Sequence, residues 1–232
     1  MKSNNKFYTS DDLHLFKFAK NWKKYFSRKV SSYIKGDVLE VGPGIGSNTL
    51  FLIENAKKIS SWTFAEPEKN FINELNELCS KLNFKSEVYN STIHEVKGKF
   101  DTILYIDVLE HIPNTEKEIS AIKSKLKPNG TLIVLVPAYN FLYSDFDKAV
   151  GHQKRYNKKL LVSEVDLDLI KLFYLDSLGL MASVANKFLL KKSMASKSNV
   201  LFWDRILIRA SLIFDRITNF SFGKSLIGIF KN

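Results

Sequence analysis

The chain has 232 residues, 45% of them apolar and 25% charged, and a formal net charge of +11. That length can bury one sizeable core, and the composition excludes a disordered or fibrous chain. A single cysteine, Cys79, excludes an internal disulfide, no apolar run reaches the roughly 18 residues of a spanning helix, and the polar N-terminus lacks a signal-peptide core, so a cytoplasmic location is expected.

Residues 1–35 form an N-terminal helical extension. Leu15, Phe18, Ala19, Trp22 and Phe26 recur at 3–4 spacing, which predicts an amphipathic helix over 11–29, with Ser10 as its cap. Residues 36–150 then alternate strands with helices. Strands are predicted over Asp37–Val41, Ser61–Ala65, Ser86–Tyr89, Thr102–Ile106 and Thr131–Val136. Helices are predicted over Ser47–Ala56, Glu68–Leu82 and Glu116–Leu126. Near-continuous apolar runs such as Leu132–Val136 require burial on both faces, as in a parallel, doubly wound sheet. Asp168–Leu175 and Lys224–Phe230 supply a sixth and a seventh strand, with a helical insertion over about 178–222 between them.

The expectation is one α/β domain over 1–232, with a seven-stranded, mostly parallel sheet. In the insertion, Trp203, Ile206, Leu207, Ala210, Ile213, Phe214 and Ile217 keep 3–4 spacing, and Arg205, Arg209 and Arg216 share another face. That apolar stripe is expected to pack on the domain; a membrane surface or a substrate pocket is the alternative.

Sheets of this kind bind ligands at the carboxyl ends of their strands. Gly42, Glu66, Asp107 and Pro137 all fall at predicted strand ends. The stretch Val38-Leu39-Glu40-Val41-Gly42-Pro43-Gly44-Ile45-Gly46 reads as a buried strand running into a glycine turn, then a helix. Such a turn leaves backbone N–H groups open to a ligand. Glu66 follows Gly46 by 20 residues and ends the next strand, where a carboxylate accepts the hydroxyls of a ribose.

Glu40-x-Gly42-x-Gly44-x-Gly46 resembles motif I of class I S-adenosylmethionine-dependent methyltransferases. The resemblance runs from about Phe18 to Val136 and includes Glu66-Pro67, Asp107-Val108-Leu109-Glu110-His111 and the Leu126–Gly130 turn. It implies that Glu40, Gly42, Pro43, Gly44 and Gly46 hold the methionine part of S-adenosylmethionine. It further implies that Glu66 and Pro67 hold the ribose, and that Thr92, Ile93, Ile106 and Asp107 line the rest of the cofactor pocket. The N-terminal helix would lie over that cleft. Asn90-Ser91-Thr92 stands where many members carry an acid, which leaves adenine recognition to other groups.

Asp107 is a catalytic candidate that can face the sulfonium or orient the substrate; it shares a face with His111 if the segment is helical, and His111 is one candidate base. Asp107-x-x-Glu110-His111 also resembles the Glu-x-x-Glu-His segment of metal-dependent methyltransferases, including ubiquinone-pathway O-methyltransferases. There Asp107, Glu110, His111 and His152 would be ligands, although Asp replaces the first Glu and a divalent metal is not expected. Gly151-His152-Gln153-Lys154-Arg155-Tyr156 resembles a segment of bacterial methyltransferases of surface-glycan and lipid-linked sugar pathways. His152 is the first choice of base, with Tyr139, Arg155 and Tyr156 as substrate contacts.

The charge divides as +7 over 1–35, −4 over 36–150 and +8 over 151–232. Basic flanks on an acidic core suit an anionic small molecule or glycan, or a peripheral membrane contact; a solvated lysine-rich surface is the plain alternative. The expected reaction is methyl transfer to a hydroxyl of a small molecule, sugar or lipid-linked glycan. RNA methylation and a non-catalytic S-adenosylmethionine-binding scaffold are the rivals. No Asn/Asp-Pro-Pro-Tyr/Phe motif is present, against methylation of an exocyclic base amine, and Ser47 breaks the GxGxxG pattern of a nicotinamide-dependent enzyme.

Overall fold

The computed structural model describes residues 15–187 and 196–232. Seven strands form one sheet: β1 (Gly36–Val41), β2 (Ile59–Ala65), β3 (Lys85–Tyr89), β4 (Phe100–Ile106), β5 (Leu126–Pro137), β6 (Asp168–Leu175) and β7 (Ser225–Lys231). Their order is β3-β2-β1-β4-β5-β7-β6. The pairs from β3 to β5 are parallel, and β7 runs antiparallel to both β5 and β6. This is the seven-stranded, mostly parallel α/β fold expected from the alternation.

The apolar runs fill both faces. Ile103, Tyr105, Leu132 and Val134 pack on one side, while Leu104, Ile106, Ile133 and Leu135 pack on the other. The strand order reverses between β1 and β4, which opens a crevice at their carboxyl ends.

Element boundaries differ from the sequence reading where local chemistry intervenes. The first helix runs over Lys20–Val30, and Ala19, with ψ of 60°, interrupts the predicted 11–29 helix. Residues 11–14 of that prediction, with Ser10, lie outside the described residues. The cap of this helix comes from far along the chain: Asp204 accepts the Trp22 N–H at 2.8 Å and the Asn21 N–H at 3.2 Å. The predicted helix over 68–82 splits into a 3₁₀ turn, Lys69–Phe71, and a helix, Ile72–Cys79. Strand β5 starts five residues earlier than expected, because the Leu126–Gly130 turn bulges within the ladder while Phe100 and Thr102 pair across it.

The insertion contributes the helix Ser177–Ala185 and a continuous helical run over 197–217, with a π turn at Trp203–Leu207. Residues 188–195 are outside the described set. The inward residues of the long run are Val200, Asp204, Ile208, Ser211 and Asp215. Asp215 accepts the Tyr25 hydroxyl and the N–H groups of Asp176 and Ser177, all within 2.9 Å. The expected packing of the apolar stripe therefore holds for Trp203, which lies against Phe16 and Trp22, and fails for its more exposed members. The polar residues serve as caps for two other helices, and that obligation turns Ile206, Ile213, Phe214 and Ile217 outward.

Candidate active site

The cleft over the carboxyl ends of β1, β2, β4 and β5 encloses about 850 Å³. That volume suits a nucleoside-sized ligand plus part of an acceptor. Its floor is the glycine turn. Gly42 has φ of +61°, and a Cβ there would lie 2.8 Å from Val108 Cγ2, so both backbone and space require glycine. The Gly44 N–H donates to Glu66 Oε2 at 2.8 Å, and the Glu68 N–H to Glu66 Oε1 at 2.9 Å. Each oxygen keeps a further lone pair for a ligand hydroxyl. Burial pushes the Glu66 carboxyl up, against the pull of those two N–H groups. Asn90 Nδ2 bridges the carbonyls of Glu66 and Pro67 at 3.0 Å each, which fixes the tip of β2.

Gly42, Pro43, Gly44, Glu66, Pro67, Thr92, Ile106 and Asp107 line the cleft. Three residues named with them stand elsewhere. Glu40 lies behind the turn, where its Oε2 accepts from Thr49 Oγ1 at 2.9 Å and Trp62 Nε1 at 3.0 Å, and burial pushes its carboxyl up to about 7. Gly46 backs onto Leu75 and Leu78. Ile93 is fully buried in the core. Glu40 and Gly46 shape the turn from behind rather than meeting a ligand, because both sit on its inner side.

Asp107 has φ of +55°, rare for a residue with a Cβ, and its N–H bonds to Leu135 O at 2.9 Å. The left-handed kink aims the following turn, Leu109–His111, across the cleft. Burial pushes the Asp107 carboxyl up, and the Lys224 ammonium opposes that shift. Glu110 is completely buried, and neither of its carboxylate oxygens has a hydrogen-bond partner from another residue. Burial, then the nearby Asp107, push it well above the carboxylate range.

The far wall comes from the loop after β5. There Asp147 is fully buried and accepts from His152 Nδ1 at 2.7 Å, from Arg155 Nε at 2.8 Å and Nη2 at 3.0 Å, and from the Ser144 N–H at 2.8 Å. Burial alone would raise the Asp147 carboxyl, but His152 and Arg155 outweigh it and hold it far below the usual range. A carboxylate on Nδ1 fixes the tautomer, so the Nε2 lone pair of His152 faces the cleft. That nitrogen has no hydrogen-bond partner and lies 3.9 Å from Glu110 Oε1. The rings of His111 and His152 are 4.7 Å apart and nearly perpendicular. Burial, then His152, pull the His111 imidazole down to about 4.

Glu110, His111 and His152 form a buried group whose ligand atoms lie within 4.8 Å of one another. Asp107, the fourth residue of the metal alternative, is not part of that group. Arg155 lines the cleft but is spent on Asp147. Tyr156 is fully buried, with its hydroxyl 3.1 Å from Glu164, and supports the loop from behind. Tyr139 stacks on Tyr174 at 5.1 Å between centroids and also stands off the cleft. Both tyrosines were expected to touch substrate; the Ala138–Tyr156 bridge just past β5 holds this segment against the sheet instead.

Sequence reasoning missed Lys23, Trp203 and Lys224, which line the cleft from distant elements. Lys23 is buried with its Nζ 2.9 Å from Ser47 Oγ, and burial pulls its ammonium down to about 8. Only its place on the face bearing Ala19, Trp22 and Phe26 hinted at burial.

A family profile described as "Methyltransferase domain" matches residues 13–186. The chain belongs to this methyltransferase family. Its cofactor is S-adenosylmethionine, and the cleft fits that group: a cradle that excludes Cβ atoms, an acid at the tip of β2, and Asp107 on the wall beside them. In sequence the methyltransferase is similar to (S)-coclaurine N-methyltransferase of Thalictrum flavum subsp. glaucum, 28% identical over 99 residues, which is 42% of this chain. It spans only 27% of that relative's length. In structure it is similar to a SAM-dependent methyltransferase from Archaeoglobus fulgidus, with a TM-score of 0.61, 16% identity and coverage of 97% and 100% of the two chains. It is also similar to the N-methyltransferase NodS of Bradyrhizobium japonicum WM9 in complex with S-adenosyl-L-homocysteine, with a TM-score of 0.58, 12% identity and coverage of 92% and 87%. Among the described residues, no helix is long and apolar enough to cross a membrane.

Proposed function

We propose that the enzyme methylates a hydroxyl or amine of a small molecule, with His152 as the general base. The observation that carries this is the Asp147–His152 pair, which presents an unpartnered Nε2 to the cleft. S-adenosylmethionine, when bound, supplies an electrophilic methyl group on a sulfonium. The turn Gly42–Gly44 and Glu66 orient the donor, and Lys23 offers an ammonium for its carboxylate. Asp147 stabilises the imidazolium that forms as His152 takes the acceptor proton, and Arg155 keeps Asp147 ionised. Positioning supplies most of the barrier reduction, and the base about a hundredfold or more.

The test is transfer of tritiated methyl from S-adenosylmethionine into fractionated cell extract. His152→Ala should bind the cofactor normally yet lose about a hundredfold in label transferred. Label transfer equal to wild type would remove His152 from the chemistry. A second reading rests on Glu110, His111 and His152 as a hard-oxygen and two-imidazole set for a divalent cation, which would hold the acceptor oxygen and acidify it. Metal analysis of wild type against Glu110→Gln decides it: stoichiometric metal lost in the variant supports a metal-held acceptor, and metal-free active enzyme rejects it.

A further inference from the structure

The helical run over 197–217 carries its apolar side outward. Phe202, Ile206, Ile213 and Ile217 are 58%, 56%, 63% and 74% exposed, and they follow one another at steps of four, seven and four residues. Such spacing places them in a single stripe along the helix. Arg205, Arg209 and Arg216 are exposed at the same steps, one residue behind each of Ile206, the intervening turn and Ile217, and so form a second stripe beside the first. Both acids of this run, Asp204 and Asp215, are buried and committed to capping the helices Lys20–Val30 and Ser177–Ala185. The outward face over 203–217 therefore has cations and apolar side chains and no carboxylate.

Met181, on the helix packed beside this run, and Phe222, just after it, extend the exposed apolar area. An apolar area of this kind in a water-soluble fold marks an interaction site. From this arrangement we infer that the face docks on an anionic lipid surface, with the isoleucines and Phe202 entering the acyl boundary and the arginines on the headgroups. Arginine suits that place because its stem lies along the apolar boundary while its guanidinium reaches phosphate.

A second copy of the chain fits less well. Two-fold pairing would bring two arginine stripes into one interface with no exposed carboxylate on either helix to match them. The inner side of the same run supplies Trp203 to the cleft wall, so docking would hold the cleft beside the bilayer. The inference rests on surface chemistry and stands apart from the choice of base.

The experiment is sedimentation of the full chain with vesicles of phosphatidylcholine alone, and of phosphatidylcholine mixed with phosphatidylglycerol, at low and high salt. The protein should pellet with the anionic vesicles, less so at high salt. Ile213→Glu/Ile217→Glu should lower that binding by about tenfold or more while leaving thermal stability unchanged, since both side chains are exposed. Arg205→Gln and Arg209→Gln should each lower it by about fivefold on anionic vesicles. The arginine variants keep the inference open to refutation if the glutamates disturb the fold. Equal recovery with and without anionic vesicles overturns it. So does a wild-type dimer in light scattering that Ile213→Glu/Ile217→Glu dissolves while vesicles go unbound, which would give the face to a second copy.

Discussion

Replacing Glu110 by glutamine should stabilise the chelator-treated protein. The carboxylate is wholly buried, both its oxygens lack hydrogen-bond partners from other residues, and burial together with Asp107 pushes its pKa well up. An unsatisfied buried polar group costs about 1–3 kcal/mol, and a charged one more. Glutamine keeps the shape and removes the cost of taking up a proton on folding, about 1.4 kcal/mol for each unit by which the folded pKa is raised, so the gain at neutral pH is about 1–3 kcal/mol. In a chain of this size that is a rise in Tm of about 2–12 °C.

The sign of the pH dependence follows from linkage. The folded pKa lies above the unfolded value of about 4.3, so the folded state holds the proton while the unfolded state releases it. Wild-type stability therefore falls as pH rises from the unfolded carboxylate range towards the raised folded pKa. The Glu110→Gln variant lacks that slope. Thermal melts of chelator-treated protein at pH 4, 5.5 and 7.5 should show the variant's advantage growing with pH. An equal or lower Tm at pH 7.5 would refute the reasoning, because it would mean that the carboxylate is solvated or paired.

Three more expectations follow from the same cleft. Glu66→Ala should weaken S-adenosylmethionine binding about tenfold to a hundredfold in calorimetry, since it removes a charged acceptor and frees the Gly44 and Glu68 N–H groups. Lys23 has its ammonium pulled down to about 8, so cofactor affinity should fall as pH rises past that value, and Lys23→Met should bind more weakly with a flat profile. Trp62→Phe removes one of the two donors to the buried Glu40 and should cost about 1–3 kcal/mol in denaturant unfolding without altering the lining of the cleft.

What the amino-acid sequence determined by itself was everything set by short-range chemistry. Apolar strands such as Leu132–Val136 can only sit inside a covered parallel sheet. A Gly-x-Gly-x-Gly turn between strand and helix leaves free N–H groups, so the part of the cleft lined by Gly42, Gly44 and Glu66 was legible. The opposite wall was legible only as separate residues: Glu110, His111 and His152 stood out, but their convergence depends on the left-handed kink at Asp107 and on how the Asp147 loop folds back.

Tertiary structure also decided the fate of the tyrosines and of the insertion. Tyr139 and Tyr156 read as substrate contacts because they flank a polar loop, yet one stacks on Tyr174 and the other fills the core. The stripe from Trp203 to Ile217 read as a packing face by the 3–4 rule. Trp203 does pack inward, but Ile206, Ile213, Phe214 and Ile217 point outward because Asp204, Ser211 and Asp215 satisfy backbone and side-chain groups of helices far away in the chain. Periodicity locates the two faces of a helix; which face turns inward depends on the polar groups waiting underneath, and those belong to other parts of the fold.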